Sequence, residues 1–181
     1  AEFTRVGAKE TFKLPDHVSF QEGALVEPLA VGLHAVRRAH LKVGDNVLIV
    51  GAGPVGLSVA LWCKFFGARH IVVSDLVKNR AKQASDFGAT DSIDASSEDV
   101  AESFSKMTGG PPTVVFDAVG VCGSMQIAID YAPNYGRVVV VGLCMVSDSF
   151  DPAAAVVKEV DILFCFCYDR SDFEMTLDML A

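Results

Sequence analysis

The sequence predicts an α/β protein built on a doubly wound parallel sheet, and three observations carry that expectation. Short β-branched apolar runs alternate along the chain with longer helical patterns. The runs are continuously apolar rather than alternating with polar residues, as strands buried on both faces are. A glycine-rich hexapeptide, Gly51-Ala52-Gly53-Pro54-Val55-Gly56, separates the first run from an apolar helical segment.

Residues 1–16 mix Phe3, Val6 and Phe12 with polar residues and close at Leu14-Pro15-Asp16, which reads as the end of a strand system belonging elsewhere. From Ser19 to Ala39 the pattern is helical. Ser19 with Glu22 fits a capping box, and Pro28 suits the first turn of a second helix after Glu27. A polar turn over 42–46 leads to a strand at Val47–Val50, then a long apolar helix over 55–66. A strand at Ile71–Ser74 precedes an amphipathic helix over Val77–Phe87, ended by Gly88. A weaker strand at 90–93 and a polar helix near 97–107 follow. The remainder reads as a strand at Val114–Phe116, a helix over 123–132 and a strand at Val138–Val141. A short helix near 152–157, a strand at Val160–Phe166 and a helix starting near Ser171 complete the order.

Composition narrows the function classes. With 181 residues the chain has about one domain's length, and 51% hydrophobic against 21% charged residues excludes a disordered or collagen-like protein. Fifteen Lys and Arg against 23 Asp and Glu leave a net charge of −8, which argues against nucleic acid as a partner. Five cysteines, an odd count without paired spacing, argue against a secreted disulfide scaffold. The cysteine usage points to a reducing, cytoplasmic compartment, and Ala1-Glu2-Phe3-Thr4-Arg5 forms no signal peptide. Asn46–Cys63 holds 18 residues without a charge, yet its glycines and Pro54 suit a strand, a tight turn and a buried helix better than a membrane span.

The hexapeptide completes a G-x-G-x-x-G pattern after a strand and before a helix, the setting in which it has a mechanism. Gly51 permits the tight turn, Gly53 lets backbone approach a pyrophosphate, and Gly56 lets the helix pack closely on the strand. The helix N-terminus offers N–H groups and partial positive charge to phosphates. Asp75 ends the second strand, nineteen residues after Gly56, where a carboxylate accepts from ribose hydroxyls and repels a 2′-phosphate. Asp75 therefore predicts NAD over NADP, although Arg80, five residues on, is of the type that accommodates a 2′-phosphate. The competing reading is a glycine turn that binds no nucleotide.

The segment Ala24-Leu25-Val26-Glu27-Pro28-Leu29-Ala30-Val31-Gly32-Leu33-His34-Ala35, together with the glycine hexapeptide, resembles the medium-chain, zinc-dependent alcohol and polyol dehydrogenases, in their sorbitol dehydrogenase-like branch. Phe87-Gly88-Ala89, Phe116-Asp117-Ala118-Val119-Gly120, Val140-Val141-Gly142 and Lys158-Glu159-Val160-Asp161-Ile162 extend the resemblance through nearly the whole chain. It implies a six-stranded Rossmann sheet over 44–181, connecting helices over 17–43 and, over 1–16, a remnant of a GroES-like catalytic domain. It also implies a catalytic zinc, with Glu27 as a ligand or as a base holding its water, and hydride transfer from an alcohol or polyol to NAD. By the same resemblance Pro54 and Val55 lie under the pyrophosphate and Arg80 near the adenosine ribose. Val119, Val141, Gly142 and Leu143 would flank the nicotinamide, and Cys165, Phe166 and Cys167 would meet its carboxamide through backbone groups. Tyr168 matches a tyrosine that helps hold the polyol, but Cys167 stands where that branch has an arginine. Losing this planar donor points to a smaller or less polar alcohol than sorbitol. Phe164 replaces a residue that is usually small. The family pairs its C-terminal edge strands, which predicts a homo-oligomer through Leu163–Phe166. Its members are about twice as long, so the chain, ending within a helix at Ala181, is expected to be truncated and not catalytic alone.

Two rival classes remain open at this stage: a zinc-independent medium-chain reductase, and a non-catalytic NAD-binding module. The other conspicuous residues read as structural. Cys165 and Cys167 are expected as core thiols on one strand face, and Cys63 as core on the apolar helix. Cys122 and Cys144 follow strand ends and would border the cofactor. His34 is expected as an ordinary helical histidine, His17, His40 and His70 at the surface, and Arg37-Arg38 as a solvated helix end.

Overall fold

The apolar runs named above become strands; the four central ones are buried, where neighbouring strands are the backbone's only partners, and the last is partly exposed. The computed structural model describes residues 3–181. Its elements are α1 (Phe20–Gly23), α2 (Val26–Arg38), β1 (Asn46–Val50), α3 (Pro54–Phe65), β2 (His70–Asp75), α4 (Lys78–Gln83), β3 (Asp91–Asp94), α5 (Val100–Thr108), β4 (Val114–Asp117), α6 (Ser124–Tyr131), β5 (Arg137–Val140), α7 (Pro152–Lys158), β6 (Asp161–Phe164) and α8 (Arg170–Leu180). The six strands form one sheet in the order β3-β2-β1-β4-β5-β6, every pair parallel. The order reverses between β1 and β4, the place where doubly wound sheets open a crevice at their C-terminal edge.

Two apolar layers cover the sheet. One holds Leu33, Val36, Val59, Trp62 and Phe116 beneath α2 and α3. The other holds Leu48, Phe104, Val115, Ile129 and Val138 beneath α5 and α6. The 18 uncharged residues from Asn46 divide into β1, the glycine turn and most of α3, and among the described residues no helix is long and apolar enough to cross a membrane.

Ser19 and Glu22 form the expected reciprocal capping box at α1. Other local expectations need correction. Residues 3–16 carry no strand. A 3-10 turn spans Ala8–Glu10, and Phe12 stacks on Phe173 of α8 with ring centroids 4.9 Å apart. The helix expected over 77–87 divides into α4 and a 3-10 turn at Ala84–Phe87, which closes on the left-handed Gly88. The last strand stops at Phe164 rather than Phe166: Cys165 N still donates to Val140 O, but Cys167 takes a φ of 52° and turns the chain away. Cys165 is therefore half-buried and Cys167 exposed, not two core thiols on one face.

His34 and Arg37 gain a partner that the sequence did not show, because α8 brings Asp172 onto them, while Arg37 and Arg38 are exposed at the helix end as expected. Asp172 is buried; it accepts from Arg37 Nη1 at 2.5 Å, lies 2.8 Å from His34 Nδ1, and accepts from Asp169 N at 2.9 Å. This ion-paired lock docks α8 against α2. His70 is half-buried on β2, while His17 and His40 are exposed as expected.

Candidate functional site

The glycine turn leaves β1 with a geometry that requires glycine at positions 51 and 56. Gly51 has a φ of +102°, in the left-handed region, and its N–H donates to Ser74 O at 2.8 Å. A Cβ on Gly51 would come within 3.0 Å of Val119 Cγ2, and one on Gly56 would collide with the Gly51 carbonyl oxygen. Gly56 thus seats α3 directly on the turn. A Cβ on Gly53 would meet nothing within 4 Å, so the space beside it is open.

Gly53 is the N-cap of α3 and has no side-chain cap; Pro54 at the helix start has no N–H to satisfy. The first ladder bond runs from Leu57 N to Gly53 O, so the N–H groups of Val55 and Gly56 precede the helical ladder. Unpaired helix-start donors beside an open, side-chain-free space suit an anionic group. Asp75, at the C-terminal end of β2, braces the same turn: Oδ2 accepts from Ala52 N at 2.8 Å and Oδ1 from Val77 N at 2.7 Å. A carboxylate has about four acceptor positions, so Asp75 retains capacity for hydroxyl donors. Arg80 lies exposed on α4, outside this hydrogen-bond set.

The other wall comes from the loops after β4 and β5. Val119 and Leu143 are exposed, and Val141 and Gly142 are half-buried. A Cβ on Gly120 would come within 2.6 Å of Leu143 N, so the two loops touch backbone to backbone. Asp117 organises both. Its buried carboxylate accepts from Val119 N at 3.0 Å and Ser124 Oγ at 2.7 Å, and its carbonyl accepts from Val141 N and Gly142 N. Sequence reasoning did not single out Asp117 for this role, although the Asp117–Ser124 pairing of a strand-end acid with a helix-start hydroxyl was readable.

Glu27 sits in the first turn of α2, exposed, and Tyr168 is half-buried in the β6–α8 connection. Burial, with the negative charges of Glu27 and Cys167, pushes the Tyr168 hydroxyl above the ordinary phenol value. The Tyr168 ring packs 5.5 Å from Phe173. Phe166 is exposed, and burial pushes the Cys165 thiol up.

Glu27 offers one oxygen-donor side chain to a metal, which is one ligand of the usual four for zinc. Among the described residues one trio of ligand-type side chains converges, His34, Asp169 and Asp172, and it does not include Glu27. Its central carboxylate already carries Arg37 on one oxygen and His34 with Asp169 N on the other. The fixed guanidinium charge makes that trio an ion-pair lock, not a cation site.

The zinc-binding dehydrogenase family matches the chain over residues 54–181. Sorbitol dehydrogenase from Ovis aries is 39% identical over 182 residues, which is 99% of this chain and 51% of that protein. Among solved structures, an alcohol dehydrogenase from Escherichia coli CFT073 complexed with NADH superposes with a TM-score of 0.87 at 26% identity, over 97% of this chain and 52% of that one. A zinc-binding dehydrogenase from Sinorhizobium meliloti 1021, bound to NADP, gives the same TM-score at 27% identity, over 97% and 53%. The chain spans about half the length of the curated relatives it matches. Sheet order, glycine turn and sequence relationship agree, and the chain belongs to the zinc-binding dehydrogenase family.

Proposed function

We propose that the chain is the NAD-binding half of a cytoplasmic, homo-oligomeric dehydrogenase that oxidises an alcohol or polyol with the aid of zinc. In this reading residues 44–181 hold the nucleotide, residues 17–43 carry Glu27 to the reaction centre, and residues 1–16 belong to a catalytic domain. The observation that carries it is the glycine turn: open space at Gly53, free helix-start N–H groups and Asp75 stand together at the sheet's point of reversal.

Each group has a task. The N–H groups of Val55 and Gly56 bind the pyrophosphate, which passes over Gly51, Gly53 and Pro54. Asp75 accepts from the adenosine ribose hydroxyls, with Arg80 beside that ribose. Val119, Val141, Gly142 and Leu143 hold the nicotinamide ring, and backbone groups of Cys165, Phe166 and Cys167 meet its carboxamide. Glu27, the chain's contribution to the zinc site, works beside the substrate with Tyr168. When bound, the nicotinamide supplies the hydride acceptor and zinc the Lewis acidity that favours an alkoxide. Cys167 offers no planar donor, which favours an alcohol smaller or less polar than sorbitol.

NADH and NADPH titrated separately into the purified chain test the cofactor reading. NADH is expected to bind at least tenfold more tightly, a difference of about 1.4 kcal/mol, because a 2′-phosphate would face the Asp75 carboxylate. Binding of neither would overturn the reading. Preference for NADPH would move the decisive role from Asp75 to Arg80.

A further inference from the structure

The loops after β4 and β5 bring two thiols together at the cleft. Cys122 Sγ and Cys144 Sγ are 3.8 Å apart although 22 residues separate them in sequence. Each cysteine lies two residues beyond a glycine, and those glycines, Gly120 and Gly142, are pressed together: a Cβ on Gly142 would collide with Gly120 N. Loop origins are thereby fixed, and the thiols inherit their proximity from the backbone. Gly123 N donates to both carboxylate oxygens of Asp148 at 3.0 Å, which adds a second tie between the same loops. Beside them a cavity of about 240 Å³ is lined by Asp117, Ser124, Gly142, Leu143, Cys144 and Asp148.

We infer that Cys122 and Cys144 are a dithiol couple that oxidises reversibly to an intramolecular disulfide and thereby weakens cofactor binding. The effect on cofactor rests on the proposed nicotinamide site; the bridge itself does not. Closing the pair means shortening the sulfur separation to about 2.05 Å. That draws Cys144, and with it Leu143, toward the β4–α6 loop and narrows the space between Val119 and Leu143. The other cysteines are placed differently. Cys63 is fully buried with its thiol pushed up by burial, and Cys165 is half-buried with the same direction of shift. The hydrogen bond to Cys144, with burial and the charges of Cys144 and Asp148, pushes the Cys122 thiol up.

A disulfide such as oxidised glutathione is the oxidant. One thiolate attacks it to give a mixed disulfide and release one glutathione; the second then displaces the other glutathione. Two electrons pass from the cysteines to the reagent, and both protons finish on the released thiols.

The test uses the whole chain without cofactor, equilibrated in oxidised and reduced glutathione and trapped by alkylation before peptide mapping. The expected product is a single covalent chain in which Cys122 and Cys144 carry no alkyl group and their peptides are joined, with reversal by dithiothreitol. In Cys122→Ser the bridge disappears and Cys144 carries glutathione instead. Glutathione on both wild-type cysteines without a bridge, or a bridge between two chains, would overturn the inference. NADH is then titrated into reduced and bridged protein, and several-fold weaker binding is expected in the bridged form. Equal affinity overturns the coupling to cofactor. Failure of NADH to bind either form overturns the proposed function and leaves the bridge intact.

Discussion

Gly53 and Gly56 lie three residues apart and respond oppositely to one added methyl group. A methyl on Gly56 strikes the Gly51 carbonyl, which is backbone and cannot swing aside, so α3 must shift on the turn. Overpacking of this kind costs about 1–3 kcal/mol, and Gly56→Ala is expected to unfold at measurably lower urea concentration. A methyl on Gly53 meets only open space, and its backbone lies at φ −78°, which alanine adopts freely. Gly53→Ala should therefore stay within about 0.5 kcal/mol of the parent. Its methyl occupies the space proposed for the pyrophosphate, so NADH affinity should fall by about tenfold, roughly 1.4 kcal/mol. Parallel urea melts and NADH titrations separate the two effects; a Gly53→Ala variant that binds normally would remove the turn from the cofactor site. The turn was legible in the sequence because its whole geometry lies within six residues. Asp117 was legible only through Ser124, because two of its four partners, Val141 N and Gly142 N, lie on the loop after β5 that only the folded sheet brings to it.

At the scale of elements, the sheet could be read from its strands but the docking of its helices could not. Continuous apolar runs identify buried strands locally, whereas His34 and Arg37 acquire their meaning from Asp172, more than 130 residues away. Asp172→Ala removes the buried acceptor of Arg37 and His34 and half of the α8 capping box, but the remaining guanidinium is 40% exposed and can turn to water, so the expected cost is about 1–3 kcal/mol. Loss of the α8 transition from limited proteolysis, with the sheet still protected, is the expected result; an unchanged cleavage pattern would mean that α8 is held by Phe173 and Leu177 instead. A second buried acid ties the opposite end of the sheet. Asp45 accepts from Arg137 Nη2 and Lys42 N at 2.8 Å each and from Thr113 Oγ1 at 2.8 Å. Burial opposes its ionisation, but these three donors prevail and hold its carboxyl below the usual carboxylate range. A lowered folded pKa stabilises the fold above the unfolded value of about 3.9, and the contribution is lost as pH falls below it. The stability gap between the parent and Asp45→Asn should accordingly be full at pH 6 and shrink toward pH 3. A gap independent of pH would show that Asp45 acts through shape alone.

For the whole molecule, the two edges of the sheet differ in a way that bears on assembly. β3 carries Asp91 and Asp94 at its ends, and Lys78 lies 3.6 Å from the latter, so that edge is guarded by charge. β6 has a single charge, Asp161, at its start, and then Ile162, Leu163 and Phe164. Asp161 N and Cys165 N donate inward to the β5 side, so by strand alternation the backbone groups of Ile162 and Phe164 face outward. Phe164 is 62% exposed and Phe166 74%. Outward N–H and C=O groups framed by exposed aromatic rings invite a second copy of the same strand, and a two-fold axis would pair them antiparallel. The net charge of −8 repels two copies at long range, so association should strengthen with salt as that repulsion is screened. Sedimentation at micromolar concentration is expected to give twice the 19.3 kDa chain mass, rising in dimer fraction between low and physiological salt. Phe164→Lys places a cation on each strand at the contact and should return the protein to monomers. A parent protein that sediments as a monomer at both salt concentrations would leave the β6 edge without its proposed partner.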